Sequence, residues 1–136
     1  MKPALIHRLV GFCVFSTVMI AAFNLKIVWW QLGLPTVQRS AGIPANAILA
    51  IAAAAASIGS WREKSWGYIL AILLCARENI SAFQAFSTQP AHFRVGDFFG
   101  LALSGVPVAL GMIAAIVLLL TRRSGQGHPA GEDRSK

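Results

Sequence analysis

The sequence predicts an all-α fold, a bundle of four transmembrane helices, and three observations predict it. Of 136 residues, 56% are hydrophobic and 12% charged, whereas soluble domains carry about a quarter charged residues. The apolar residues fall into four runs, at about 4–30, 43–60, 66–86 and 98–120, near or above the ~20 residues that span a hydrocarbon core. The connections between them are short and rich in Gly, Pro and basic residues, with no polar stretch long enough to fold as a soluble domain. A chain of this length cannot hide so much apolar surface in one soluble core, so lipid is its natural solvent. The bundle is expected to occupy residues 1–123 as one domain, with 124–136 as a disordered, glycine-rich cytoplasmic tail.

The first span opens beside Lys2 and Arg8 and ends on Trp29-Trp30, a pair suited to the headgroup interface. A cleaved signal peptide needs a small-x-small cleavage site followed by a polar mature chain. Here the chain stays apolar, so the run is read as an uncleaved helix. Gln31 to Ala41 is read as a loop. The second span centres on five consecutive alanines, Ala52 to Ala56. Small residues let helix backbones approach closely, so this helix is expected to be the most central of the four. Asn46, Ala50, Ala54 and Ser57 share one helical face as its expected packing surface.

A basic turn at Arg62-Glu63-Lys64 leads into the third span, which ends near Phe86 and carries Arg77, Glu78 and Asn79 at its middle. A loop from Ser87 to Asp97 follows. In the fourth span Pro107 removes one backbone hydrogen bond and crowds the carbonyl of Leu103, which predicts a kink. Gly100, Ser104, Gly111 and Ala115 form its small-residue packing stripe.

The formal net charge is +7. The basic residues flank the apolar runs and no nucleic-acid-binding motif is present, so membrane orientation explains the charge better than nucleic acid does. Lys2, Arg8, Arg62, Lys64, Arg122 and Arg123 fall on one side, and Arg39, Arg94 and Lys26 on the other. Six against three predicts both termini in the cytoplasm.

Arg77 and Glu78 are the strongest functional candidates. A charge at mid-bilayer costs about 2.5–3.5 kcal/mol on insertion scales and normally faces a partner inside the bundle. Arg77, Ser81 and Gln84 form one polar stripe, while Glu78 points about 100° away. Its expected partners are Asn24 and Lys26 on the first helix, so that Arg77, Glu78, Asn79, Asn24, Lys26, Ser81 and Gln84 compose a candidate intramembrane network. That network is either a structural clasp or a site for a proton or solute.

Nothing in the sequence signals catalysis or a cofactor. His7 stands at the N-terminal end of the first span, and His92 and His128 fall in a loop and the tail, so no pair is placed on facing helices to ligate a haem. Cys13, Met19, Cys75 and Met112 show no metal-binding pattern. Neither a phosphate-cradling loop nor a hydrolase motif occurs. Cys13 and Cys75 read as buried small hydrophobes rather than a disulfide.

The chain resembles the small four-helix DoxX-like bacterial membrane proteins. The residues that carry the resemblance are Lys26, Leu32-Gly33-Leu34-Pro35, Arg62-Glu63-Lys64-Ser65-Trp66-Gly67-Tyr68 and Gly96-Asp97. It departs from that pattern at its alanine-rich second helix and its central Arg77-Glu78 pair. The resemblance implies the four-helix membrane fold and a bacterial inner-membrane location, but no particular activity.

The leading functional expectation is a non-enzymatic accessory or structural subunit of a membrane assembly, whose partners are the lipid bilayer and other subunits or itself. The alternatives are a small homo-oligomeric transporter or channel using Glu78 and Arg77, and a quinone-handling redox protein suggested by Trp29, Trp30 and Phe98.

Overall fold

The computed structural model describes residues 2–34, 42–88 and 95–126. They form four helices: α1 (Pro3–Leu32), α2 (Gly42–Trp61), α3 (Ser65–Thr88) and α4 (Val95–Gln126). Each predicted span lies inside one of them. Pro35, Arg39, Pro90, His92, Arg94 and His128 lie outside the described residues, as do the side chains of Gly100, Ser104 and Arg123.

Local chemistry sets the ends. Pro3 stands in the first turn of α1, where its missing N–H costs nothing. Gly33 closes α1, its N–H lying 3.3 and 3.2 Å from the carbonyls of Trp29 and Trp30. The end of α2 is a Schellman motif: Lys64 N–H donates to Gly59 O at 2.8 Å and Glu63 N–H to Ser60 O at 3.0 Å. The residue that must turn left-handed there is Glu63, with φ 52, a position that usually goes to glycine. α4 continues through Pro107 as one helix and extends to Gln126. The first residues of the expected tail are therefore helical, and Ser124 Oγ donates to Leu120 O at 3.1 Å. Likewise α1 and α3 run one or two residues into the connections expected on either side, and α4 begins before the end of the expected loop.

The helices pack in a ring in chain order, with α4 closing back on α1 and α1 meeting α3 across the short diagonal. Thus α1 packs broadly against its neighbours and also meets α3, while α2 barely meets α4. The expectation of a central α2 fails because small side chains permit close packing without requiring it: Ile48, Ile51 and Ile58 on the same helix face outward. The packing face also differs. Ala53 and Ala56 are fully buried and Ala54 is exposed, because a run of five alanines has no periodicity from which a face can be read.

Two contacts bring backbones together. A Cβ on Gly67 would fall on the backbone of Gly59 and Ser60, and one on Gly59 would come within 2.8 Å of the Gly67 Cα. These glycines let α2 and α3 meet directly beside their turn. On α4, Gly111 stands against Ser16, whose Cβ and Oγ leave no room for a methyl group. Inside the ring lie Cys13, Ser16, Tyr68, Ala71, Cys75 and Ala115, none more than 1% exposed. The outside is lined by large apolar side chains such as Trp29, Ile51, Leu73, Phe83 and Leu120. So broad an apolar exterior belongs against lipid or protein rather than water. Among the described residues, three helices are long and apolar enough to cross a membrane: Pro3–Leu32, Gly42–Trp61 and Gly105–Arg122 within α4. The exception is α3, whose length suffices but whose middle is interrupted by Arg77-Glu78-Asn79.

Candidate functional site

Among the described residues three groupings of polar side chains bear on a site: a seam inside the ring, a face on α3, and a cluster where the α2–α3 turn meets α4.

The interior seam joins α1 to its two ring neighbours. Ser57 Oγ on α2 donates to Thr17 Oγ1 at 2.7 Å, and the Thr17 hydroxyl in turn lies 3.0 Å from the carbonyls of Cys13 and Val14. One turn away, Cys13 Sγ donates to Ser60 Oγ at 3.3 Å. The pairs 17–57 and 13–60 run in opposite directions along the two chains, so α1 and α2 are antiparallel. Towards α4, Ser16 Oγ lies 2.6 Å from Pro107 O and 2.9 Å from Phe12 O in its own helix. In hydrocarbon such groups must find partners within the protein. Ser and Thr can do so inside a helix because their hydroxyls reach carbonyls three or four residues back. From the sequence Ser57 is placed on a packing face of the second span, but the seam itself is not predicted. The available signal was the recurrence of Ser or Thr at 16, 17, 57 and 60 inside otherwise apolar runs.

The α3 face differs from the expected arrangement. Glu78 pairs with its neighbour Arg77, not with α1. Adjacent helical positions diverge by about 100°, yet both side chains are long enough to converge. The residues expected opposite are engaged or turned away. Asn24 is buried, but its amide donates to Ile20 O in its own helix at 2.9 Å. Lys26 is exposed. Asn79 donates to Cys75 O at 2.8 Å. Ser81 and Gln84 are exposed on the same side of α3 as Arg77. The structure therefore keeps Arg77 and Glu78 together and leaves Asn24, Lys26 and Asn79 out of their network. Side-chain exposure is 49% for Arg77 and 19% for Glu78, so the guanidinium lies on the outer surface while the carboxylate is partly sheltered.

The third cluster lies at the end of the bundle that holds the α2–α3 turn. Arg122 Nη2 donates to Glu63 Oε2 at 3.0 Å, and the guanidinium carbon sits 5.6 Å from the centre of the Tyr68 ring. The cluster ties α4 to the turn and to the start of α3.

None of these groups forms a catalytic constellation. Among the described residues no three His, Cys, Asp or Glu side chains stand together as metal ligands. A shallow notch of about 250 Å³ on α1 is lined by Arg8, Gly11, Phe12 and Phe15, without a second polar group to orient a bound molecule. What the arrangement offers is a closed, hydrogen-bonded interior and an outward-facing charged patch. Comparison with known proteins finds no matching family model, no matching curated protein and no matching solved structure.

Proposed function

We propose that the chain is a four-span protein of the bacterial inner membrane, both termini cytoplasmic, that acts without catalysis as a subunit of a membrane assembly. The observation that carries this reading is Arg77, half-exposed at the midpoint of a helix packed between two apolar neighbours. At 24 residues, α3 is ~36 Å long, enough to cross a hydrocarbon core of ~30 Å. Its place in the ring beside α2 and α4 supports a fourth crossing. A mid-bilayer guanidinium on the outer surface is unfavourable against lipid and favourable against another protein. The bacterial location rests on the resemblance to DoxX-like proteins, and the orientation on the distribution of basic residues.

The interior favours this reading over a channel through the monomer, because the space between the helices is filled by Tyr68, Cys13, Ser60, Thr17 and Cys75. The test is purification of the tagged full chain in mild detergent, followed by mass spectrometry. Other membrane proteins in fixed ratio are the expected result. Recovery of this chain alone would overturn the subunit reading.

A further inference from the structure

We propose that the notch on α1 seats an anionic phospholipid, with its phosphate on Arg8 and one acyl chain over Gly11 between Phe12 and Phe15. The proposal rests on the reading that α1 crosses the membrane, and not on what the chain assembles with.

Arg8, Gly11, Phe12 and Phe15 line the notch, whose volume is about 250 Å³. Relative to Arg8, the positions of Gly11, Phe12 and Phe15 are turned by about 60°, 40° and 20° around the helix, so all four share one stripe. Arg8 and Gly11 are exposed, as are the rings of Phe12 and Phe15, so the stripe lies on the outside of the bundle. The hollow is the missing side chain of Gly11: a Cβ there would meet nothing within 4 Å.

The notch also has the right depth. Arg8 is the sixth residue of α1. It therefore lies ~7.5 Å from the start of the helix, and Phe15 lies ~10.5 Å further in. The arginine side chain can carry its charge out to the headgroups, while the two rings stay among the acyl chains. A cation above an apolar hollow is complementary to a phospholipid at both ends. Nothing within the chain answers that cation. The α1 helix holds no Asp or Glu, and the two ion pairs among the described residues, Arg77–Glu78 and Arg122–Glu63, do not include Arg8. With both termini cytoplasmic, as proposed above, Arg8 stands in the leaflet that carries the anionic lipids.

Other occupants fit less well. The notch has no second polar group with which to orient a dissolved molecule, whereas a phospholipid is already oriented by the bilayer. A second copy packed on this stripe about a two-fold axis along the membrane normal would set Arg8 against Arg8 at the same depth, and like charges repel.

The experiment is native mass spectrometry of the purified full chain, stripped of lipid in neutral detergent and then supplied with phosphatidylglycerol or phosphatidylcholine of the same acyl chains. The parent is expected to retain phosphatidylglycerol about fivefold better, the preference that one basic residue near an anionic surface contributes. Arg8→Gln should abolish that preference. Gly11→Leu fills the hollow and should cut the phosphatidylglycerol adducts by a similar factor with Arg8 intact. Should Gly11→Leu fail to fold, Gly11→Ala takes its place with a smaller loss. Arg62→Gln removes an exposed basic residue from the α2–α3 turn, away from the notch, and should retain the preference. Equal retention of the two lipids by the parent would overturn the proposal, as would parental retention by Arg8→Gln or by the filled notch. An equal loss from Arg62→Gln would overturn it in favour of a diffuse basic surface. Displacement of the lipid by equimolar inorganic phosphate would overturn the lipid as occupant, and so would a second protein that copurifies with the parent but not with the filled notch. Release of the chain from membranes by alkaline carbonate would sink the membrane reading itself. A chain that resists carbonate but shows no preference for phosphatidylglycerol sinks this site alone.

Discussion

Arg122 and Glu63 are joined across 59 residues of chain by a 3.0 Å contact, and the acidic partner sits in a left-handed conformation with φ 52. The two facts pull in opposite directions. Left-handed backbone costs a non-glycine residue roughly 1–2 kcal/mol. The ion pair is more than a third exposed on both sides, and exposed pairs contribute about 0–1 kcal/mol. Glu63→Gly should therefore leave the melting temperature in detergent unchanged or raise it. Glu63→Val, β-branched at positive φ, should lower it clearly. Equal losses from both substitutions would show that the ion pair outweighs the backbone strain.

The Ser57–Thr17 bond carries a second prediction. Polar contacts between transmembrane helices average about 0.6 kcal/mol and reach about 1.7 kcal/mol, because the unfolded chain in the membrane also finds partners. Ser57→Ala and Thr17→Val should each destabilise modestly, and the double variant should cost less than the two single losses added. Each hydroxyl also lies against carbonyls of its own helix, Thr17 against Cys13 and Val14 and Ser57 against Ala53, so the two single losses should be similar. Strict additivity in thermal denaturation would show that the two hydroxyls are not coupled.

Three glycines should respond differently to one added methyl group. At Gly67 the new carbon meets the α2 backbone, which cannot move aside, so Gly67→Ala should cost about 3 kcal/mol, the upper end of overpacking losses. At Gly111 the obstacle is the Ser16 side chain. Gly111→Ala should therefore be destabilising alone and largely rescued by Ser16→Gly. At Gly11 nothing lies within 4 Å, and Gly11→Ala should stabilise the helix by about 0.5–1 kcal/mol. Melting temperatures of the four chains against the parent check all three. A tolerated Gly67→Ala would contradict the close approach of α2 and α3.

These residues also mark what could be read from the sequence. Helix positions were legible because apolar runs bounded by Gly, Pro and basic residues leave few alternatives. Which face of α2 turns inward was not, whereas on α4 the expected stripe does turn inward at Gly111 and Ala115. The alanines from 52 to 56 are alike on every side, and the face is chosen by Ser57, Gly59 and Ser60 beyond them. Glu78 was expected to reach across to α1, as an isolated buried acid would. An arginine at the next position instead captured it within α3, which freed Asn24 to bond its own helix. The polar seam is not legible for a related reason: Ser and Thr satisfy themselves against helical carbonyls, and so disturb the apolar pattern too little to stand out.

The last prediction concerns the orientation of α3, on which the four-span reading depends. Reporter fusions after Lys64 and after Arg123 should read cytoplasmic, and fusions after Arg39 and after Gly96 external. The warrant is the excess of Lys and Arg at Lys2, Arg8, Arg62, Lys64, Arg122 and Arg123 over Arg39, Arg94 and Lys26. The fusion after Gly96 is the decisive one. With α3 across the bilayer, Lys64 and Gly96 lie on opposite sides. If the Arg77-Glu78-Asn79 interruption instead keeps α3 on one surface, both read cytoplasmic. The tail reporter then turns external, because α4 would have to cross the other way. That outcome would place Arg122 and Arg123 outside, against the charge rule, and would separate α3 from the neighbours it packs beside in the ring. Replacing Arg77 and Glu78 together with leucine removes the interruption. It should leave all four reporters unchanged if α3 already spans, and should move the Gly96 and Arg123 reporters together if it does not.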